Sequence, residues 1–154
     1  MLGSLLAKHH ARLIYGGGKA GLMGDVADAV LQAGGIVRGV IPQLLMEQER
    51  GHQTISELTV VETMHERKRL MYELCDAAVI LPGGFGTLDE LFEMLTWNQL
   101  SLHDKQIFLI NSDGFYTHLL QHLTFLSKEG FLYGDLKNQL TVLDSAADFE
   151  QHLL

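Results

Sequence analysis

A glycine-rich turn is the segment of this sequence best suited to chemistry. The segment Pro82–Glu90 reads PGGFGTLDE and directly follows the apolar run Ala77–Leu81. Three glycines in four positions let backbone N–H groups face a ligand, and the helix that follows adds its dipole and unpaired N–H groups, which favour a phosphate. The T-x-x-E pattern from Thr87 to Glu90 is also a helix capping box. From this segment alone, Glu90 is either a cap or a ligand-binding carboxylate.

A basic pair near the start of another helix is the second chemical feature. The stretch MHERKRLMYELC begins at Met64, and a capping box, Thr63–Glu66, opens it. Helical spacing puts Arg67 on the apolar stripe that starts at Met64, so its side chain faces the core, where an unpaired cation is costly. We therefore expect a carboxylate or a phosphate to meet Arg67. In a parallel sheet, the helices that follow neighbouring strands begin at the same crevice, so we expect Arg67 and Lys68 to lie near the glycine-rich turn. The alternative is that both residues belong to a solvated basic face of the helix.

A second glycine loop occurs in the sequence RLIYGGGKAGLMG, where a G-x-G-x-x-G spacing begins at Gly16. A dinucleotide site also needs an acid at the end of the next strand, and the predicted strand Ile36–Ile41 has none there. A P-loop needs Ser or Thr after its lysine, and Ala20 stands in that position. Two interpretations stay open: glycines that permit a tight turn and close helix packing, or an additional phosphate loop at Gly17 and Gly18.

The elements that must position these residues alternate along the chain. The predicted strands are Arg12–Tyr15, Ile36–Ile41, Leu58–Val61, Ala77–Leu81, Gln106–Ile110 and Leu140–Leu143. The predicted helices are Leu22–Gln32, Met64–Cys75, Leu88–Leu100, Phe115–Ser127 and Ala146–Leu153, with another at the start of the chain around Leu2, Leu5 and Leu6. Such alternation predicts an α/β fold: a Rossmann-like, doubly wound parallel sheet with helices on both faces, in one domain over residues 1–154.

Composition narrows the classes of function. The chain has 154 residues, a net charge of −8 and one cysteine, Cys75. The charge argues against general nucleic-acid binding, and the apolar runs are shorter than the ~20 residues of a membrane helix. Together with the lone cysteine, these features lead us to expect a cytoplasmic protein. His118 and His122 have a ligand-like i, i+4 spacing, but Leu119 follows the first and no third ligand is evident, so we expect no metal and no cofactor.

Three motifs together resemble one family. GGGKAGLMG, MHERK and PGGFGTLDE, in this order and at this spacing, are similar to the LOG family, the cytokinin riboside 5′-monophosphate phosphoribohydrolases, often labelled lysine decarboxylases. The resemblance runs from about Arg12 through NSDGFY (Asn111–Tyr116) to the final helix. It implies hydrolysis of the N-glycosidic bond of AMP or an N6-substituted AMP, which releases the free base and ribose 5-phosphate. It also implies a homodimer or a larger homo-oligomer.

The resemblance assigns roles to individual residues. It implies that Arg67 and Glu90 are the catalytic pair. Glu90 would stabilise the ribosyl cation-like state or orient the attacking water, and Arg67 would orient Glu90 or help the purine to depart. The implied substrate-binding residues are Glu49, Lys68, Gly83, Gly84, Phe85, Gly86, Thr87, Leu88, Asp89 and Thr96.

Two departures and two rival functions complete the sequence-based picture. Asp89 stands where many family members carry Glu, and the family's first strand with its Cys-Gly-Ser loop has no counterpart before the chain's GGG loop, so we expect an N-terminally shortened member.

A non-catalytic nucleotide-binding module of the same superfamily is the alternative function, and the retained Arg67 and Glu90 count against it. A pyridoxal decarboxylase needs a Schiff-base lysine with a partner for the ring nitrogen, and neither Lys19 nor Lys68 has such a setting.

Overall fold

The computed structural model describes residues 1–48 and 51–153 and divides the chain into two compact units. The first unit comprises Met1–Cys75 with Glu150–Leu154, and the second comprises Asp76–Phe149. Helices and strands alternate in both units, and every strand pairing is parallel, which confirms the α/β class. The strands form two three-stranded sheets, one in each unit.

The first unit contains four helices and three strands among its described residues. The strands are β1 (Leu13–Tyr15), β2 (Val37–Pro42) and β3 (Glu57–Val61), and the helices are α1 (Leu2–Lys8), α2 (Gly21–Gln32), α3 (Leu45–Gln48) and α4 (Met64–Leu74). The strands pair in the order β1-β2-β3, with α2 packed on β1 and β2 and α4 packed on all three strands. The fully buried Ala27 and Val30 of α2 and Val37, Val40 and Ile41 of β2 form its core.

Helix α1 explains why the chain opens with a helical pattern. Helix α1 packs against α2, and its side chains Leu2 and Leu6 are buried. A Cβ atom at Gly3 would lie 2.7 Å from the Ala29 Cβ atom and 2.8 Å from the Val26 carbonyl oxygen, so the two helices approach each other closely at this glycine. The predicted N-terminal helix is confirmed.

The second unit carries the glycine-rich turn. Its strands are β4 (Ala77–Ile80), β5 (Gln106–Ile110) and β6 (Thr141–Leu143), and its α-helices are α5 (Phe85–Gln99) and α6 (Thr117–Lys128). The strands pair in the order β4-β5-β6. Residues Ile107–Ile110 of β5 are buried, as a central strand requires, and the ring of Phe108 meets that of Phe149 edge to face at 5.0 Å.

The largest departures from the sequence-based expectation are at the last predicted helix and at the start of α5, and the short helix α3 was not predicted. The last predicted helix, Ala146–Leu153, is a short 3-10 helix over Asp148–His152, and two other 3-10 turns, Ser112–Gly114 and Leu136–Asn138, were not predicted. Helix α5 starts at Phe85, three residues earlier than Leu88. None of the helices in residues 1–48 and 51–153 is both long and apolar enough to cross a membrane.

Candidate functional site

The helix start at the glycine-rich turn differs from the capping-box interpretation. Gly84 is the N-cap of α5, and the first hydrogen bond of the helix runs from the Leu88 N–H to the Gly84 carbonyl oxygen at 3.1 Å. Thr87 therefore lies in the first turn and Glu90 in the second, so the two residues do not form a capping box. The amides of residues 84–87 precede the first helical bond and are the N–H groups that a helix start leaves for another acceptor.

The three glycines of the turn have different surroundings. A Cβ atom at Gly83 would lie 2.1 Å from the Thr87 Oγ1 atom, so the threonine side chain packs directly over this glycine. A Cβ atom at Gly84 or Gly86 would meet no described atom within 4 Å, and neither glycine has a positive φ. Packing and backbone conformation therefore do not demand glycine at these two positions, whereas close approach of a ligand to the backbone would.

A tyrosine braces the beginning of the turn. The Tyr116 hydroxyl group, on a side chain that is 3% exposed, donates a hydrogen bond of 2.7 Å to the Leu81 carbonyl oxygen. The Tyr116 N–H donates to the Asn111 Oδ1 atom at 2.7 Å, which fixes the start of α6. Burial raises the pKa of Tyr116, and a hydrogen bond with the Gly83 backbone opposes that shift. The NSDGFY segment thus holds the backbone from Leu81 to Gly83 in place.

The remaining predicted site residues of the second unit lie along α5. Glu90, Leu88 and Thr87 are half-buried, whereas Asp89 is exposed and the Phe85 side chain is 94% exposed at the first helical position. The Thr96 hydroxyl group donates to the Phe92 carbonyl oxygen at 2.7 Å, one helical turn back. The predicted residues from Gly83 to Glu90 therefore form the glycine-rich turn and the first two turns of α5, and Thr96 lies further along that helix.

The basic residues lie on α4 in the first unit. The capping box predicted for this helix is present: the Thr63 Oγ1 atom accepts from the Glu66 N–H at 3.1 Å, and a Glu66 carboxylate oxygen accepts from the Thr63 N–H at 3.4 Å. The side chain of Arg67 is buried, as its place on the apolar stripe predicted, and Lys68 is half-buried. Local sequence thus places Arg67 in the core of this unit.

The guanidinium group of Arg67 is held by main-chain acceptors. Its Nη2 atom donates to the Gly16 carbonyl oxygen at 2.7 Å, and its Nε atom donates to the Val40 carbonyl oxygen at 3.2 Å. The Met64 Sδ atom lies 3.9 Å from the Nη1 atom. A carbonyl dipole just after β1 and another within the adjacent strand β2 therefore meet this charge, a kind of partner that the sequence-based expectation of a carboxylate or phosphate did not include.

Several backbone groups of the GGG loop have partners within the first unit. Gly17 has a φ of +79°, and its carbonyl oxygen accepts from the His52 N–H at 2.8 Å. Gly18 pairs with Gly51 in an isolated antiparallel bridge. A Cβ atom at Gly24 would lie 2.0 Å from the Lys19 carbonyl oxygen, so the loop packs tightly on the first turns of α2. These contacts favour the tight-turn interpretation of the glycines, and a phosphate role for Gly17 and Gly18 stays a prediction.

His52 is a buried polar residue that sequence reasoning did not single out. Its side chain is fully buried; the Nε2 atom lies 3.0 Å from Asp28 Oδ1, and the Nδ1 atom lies 3.2 Å from Thr54 Oγ1. This histidine connects the segment after α3 to α2. A buried histidine between two polar partners has no local sequence signature, since Asp28 is 24 residues away. The predicted substrate contact Glu49 lies outside the described residues.

Two histidines of α6 and a polar cavity are further features of the second unit. His118 and His122 are exposed on α6, and among residues 1–48 and 51–153 no three His, Cys, Asp or Glu side chains are grouped so as to hold a metal ion. A polar cavity in the second unit is lined by residues that include Asn98 and Gln106. Gln106 begins β5, whereas the glycine-rich turn follows the end of the parallel strand β4. The cavity and the turn therefore lie at opposite ends of the strands of this sheet.

Comparison with known proteins identifies the family. A sequence model of the family described as "Possible lysine decarboxylase" matches residues 23–153. The cytokinin riboside 5′-monophosphate phosphoribohydrolase of Rhodococcoides fascians is 44% identical over 92% of this chain and 72% of that protein. The enzyme LOG1 of Arabidopsis thaliana is 41% identical over 99% of this chain and 71% of that protein. The rice protein LOGL1, named a probable member, is 46% identical over 88% of this chain and 61% of its own length.

Solved structures support the fold alone. The molybdenum cofactor binding protein of Rippkaea orientalis superposes with a TM-score of 0.72 over 99% of this chain and 81% of that one, at 22% identity. The chain spans between 61% and 72% of the length of the three relatives named above. The match of the family model over most of the chain, together with identities above 40%, shows that this chain belongs to the LOG family, the family of the cytokinin riboside 5′-monophosphate phosphoribohydrolases.

Proposed function

We propose that this protein is a hydrolase that cleaves the N-glycosidic bond of a nucleoside 5′-monophosphate, AMP or an N6-substituted AMP, to the free base and ribose 5-phosphate. Its relatives at 41–46% identity are named cytokinin riboside 5′-monophosphate phosphoribohydrolases, one of them as a probable one, and these names support hydrolysis of this class of bond. The observation that carries the proposal is the start of α5 at Phe85, because it offers backbone N–H groups beside two glycines whose Cβ positions are open.

The glycine-rich turn would bind the 5′-phosphate. The N–H groups of Gly84, Gly86 and Thr87 belong to the unpaired start of a 15-residue helix, whose dipole favours an anion. Open space at Gly84 and Gly86 would let phosphate oxygens reach hydrogen-bond distance of the backbone. Tyr116 keeps the preceding residues in position, so the amides are already oriented before the substrate arrives.

Glu90 would act at the anomeric carbon. Cleavage breaks the bond between this carbon and the base nitrogen, and a water oxygen then bonds to the carbon. One proton of the water passes to the departing base, and the other stays on the new hydroxyl group of ribose 5-phosphate. A carboxylate stabilises the positive charge that develops on the ribose and orients the water. The start of α5 at Phe85 supports this role, because it removes Glu90 from the competing function of a capping residue.

Arg67 would supply a fixed positive charge for catalysis. Its guanidinium group is oriented by the Gly16 and Val40 carbonyl oxygens, and a charge oriented in advance does not have to reorganise during the reaction. The further residues proposed to bind substrate are Glu49, Lys68, Gly83, Phe85, Leu88, Asp89 and Thr96, with Gly17 and Gly18 as an additional phosphate loop. The proposed chemistry uses no cofactor.

Incubation with AMP and chromatography of the released base test this function. We expect adenine and ribose 5-phosphate from the wild-type protein, and no detectable adenine from Glu90→Gln at an unchanged melting temperature. Glu129→Gln, at the exposed end of α6, is the matched control and should keep full activity. Full activity of Glu90→Gln would contradict the catalytic assignment. AMP binding without release of adenine by the wild-type protein would instead support the non-catalytic nucleotide-binding module.

We also propose a homodimer or larger homo-oligomer in the cytoplasm, with no nucleic-acid or membrane partner. Aromatic side chains exposed in the second unit, including Phe85, Phe131 and Tyr133 at 94%, 73% and 77%, support a covered surface in an assembly. The single cysteine agrees with a cytoplasmic location, and the net charge of −8 agrees with the lack of a nucleic-acid partner. Light scattering after gel filtration gives the mass of the assembly, and a monomer at micromolar concentration would contradict the proposed homo-oligomer.

A further inference from the structure

The first glycine of the GGG loop faces the guanidinium group of Arg67. Gly16 directly follows β1, and its carbonyl oxygen accepts the 2.7 Å hydrogen bond from the Arg67 Nη2 atom. We infer that Gly16 is a positioning residue, whose missing side chain and whose carbonyl oxygen together set the place of the Arg67 guanidinium group. The inference rests on the proposed function only in making Arg67 catalytic.

The space at Gly16 is occupied by the arginine. A Cβ atom at this position would lie 2.0 Å from Nη2 and 2.9 Å from Cζ of Arg67, and 3.2 Å from the Sδ atom of Met23. A real Cβ atom does not approach a neighbour closer than 3.0 Å, so something must move if a side chain is present. The guanidinium group is the end of a flexible side chain, and it is therefore the group that gives way.

Backbone conformation does not explain this glycine. The φ of Gly16 lies outside the positive range that Gly17 and Gly21 occupy, at +79° and +59°. An alanine could adopt the backbone conformation of Gly16, and what excludes its methyl group is contact with the arginine. The first two glycines of the loop are thus required for different reasons: Gly16 makes room for Arg67, whereas Gly17 permits the positive φ of the turn.

The second acceptor makes a displacement costly for function. The Arg67 Nε atom donates to the Val40 carbonyl oxygen at 3.2 Å, on the strand adjacent to β1, so two main-chain acceptors help to orient the planar group of a residue that is 5% exposed. A methyl group at Gly16 would have to move the Nη2 atom by about 1 Å to restore ordinary contact. That shift would break the alignment with one or both carbonyl oxygens.

The kinetic test is Gly16→Ala. A displacement of about 1 Å of a catalytic group lowers kcat by about 100-fold, and KM for AMP should change by less than about 2-fold, because the glycine-rich turn that would bind the phosphate is unaltered. Gly24→Ala is the matched control: its Cβ atom would meet the Lys19 carbonyl oxygen at 2.0 Å in the same loop, and it does not touch Arg67. It should lower stability while kcat stays within about 3-fold of wild type in the folded fraction.

A double-mutant cycle supplies a readout that does not depend on activity. Gly16→Ala should lower Tm by about 5 °C in the wild-type background, because it disturbs buried hydrogen bonds from a charged group. In the Arg67→Ala background the methyl group would enter vacated space, and the same change should shift Tm by less than about 1 °C. Gly24→Ala should have equal effects in both backgrounds. If Arg67→Ala does not fold, Arg67→Lys serves, because lysine has no Nη2 atom.

The outcomes separate the inference from the proposed function. Equal Tm losses for Gly16→Ala with and without the arginine would overturn the inference, and so would an unchanged kcat in an active enzyme. A wild-type protein that does not hydrolyse AMP would contradict the proposed function, while the stability cycle would still decide whether Gly16 sets the position of Arg67.

Discussion

Replacing Tyr116 by Phe removes one buried hydroxyl group and measures the hydrogen bond that braces the glycine-rich turn. The side chain of Tyr116 is 3% exposed, and its hydroxyl group donates to the Leu81 carbonyl oxygen at 2.7 Å. The substitution keeps the ring and its edge-to-face contact with Phe115, whose centroid is 4.8 Å away. The expected loss therefore comes from the hydrogen bond to the Leu81 carbonyl oxygen and from the hydrogen bond with the Gly83 backbone, which the phenylalanine ring cannot replace.

The magnitude follows from the cost of leaving half-buried backbone groups without a hydrogen-bond partner. That cost is about 1–3 kcal/mol, so we expect the free energy of unfolding to fall by about 2 kcal/mol for Tyr116→Phe. For a chain of this size, 1 kcal/mol corresponds to about 2–4 °C in Tm, which gives a decrease of about 4–8 °C.

Tyr15 offers the contrasting substitution. Its side chain is 6% exposed, and its hydroxyl group has no hydrogen-bond partner among the described residues. Tyr15→Phe removes the same group from a similar degree of burial without breaking a bond, so Tm should stay the same or rise, by at most about 4 °C. Tyr133→Phe, at 77% exposure, should leave Tm within about 1 °C of the wild type.

Differential scanning calorimetry and urea titration at pH 7 measure all three variants. Our reasoning about the turn fails if Tyr116→Phe melts within about 1 °C of the wild type. An equal loss of stability for Tyr15→Phe and Tyr116→Phe would also contradict it, because the Tyr116 hydroxyl group has hydrogen bonds to the turn and the Tyr15 hydroxyl group has none among the described residues.

Three further predictions concern pH, a helix cap and the turn. Burial, reinforced by the carboxylate of Asp28, raises the pKa of Tyr15 to about 12. The unfolded state therefore loses the tyrosine proton first, and the free energy of unfolding, unaffected below about pH 10, should fall by up to about 3 kcal/mol between pH 10 and 12. Tyr15→Phe should flatten this decrease in urea titrations. Thr63→Ala removes the side-chain cap of α4 and should cost about 1 kcal/mol in urea unfolding; an unchanged midpoint would contradict that capping role. Gly83→Ala should lower stability by about 1–3 kcal/mol because its Cβ atom would meet Thr87, whereas Gly84→Ala, with open space, should stay within about 0.5 kcal/mol; equal losses in calorimetry would refute this distinction.

Features that depend on near neighbours in the chain were predictable from the sequence. The capping box at Thr63–Glu66 involves residues three apart, and the burial of Arg67 follows from helical periodicity, so both are present as predicted. The alternation of apolar runs and helical stretches likewise predicted the six strands and the α/β class. These features need only the intrinsic geometry of one helix or one strand.

The start of α5 shows where local reasoning reaches its limit. The sequence predicts a helix that begins at Leu88, and its T-x-x-E pattern makes Thr87 a possible first residue of a capping box. The structure has the earlier start, with Tyr116 bonded to the backbone just before the turn and the Thr87 side chain packed over Gly83. The competition between the two starts is decided by contacts with residues some thirty positions away.

Sequence alone determined that a buried arginine on α4 and a glycine-rich helix start on α5 exist, because residue type and spacing record both. Only the tertiary structure decided that the Gly16 and Val40 carbonyl oxygens hold the arginine, 51 and 27 residues away. Every residue carries a carbonyl group, so no residue type marks it as an acceptor. Which carbonyl oxygen receives a hydrogen bond depends on how strands β1 and β2 pack beside α4, and that arrangement arises only when the chain folds.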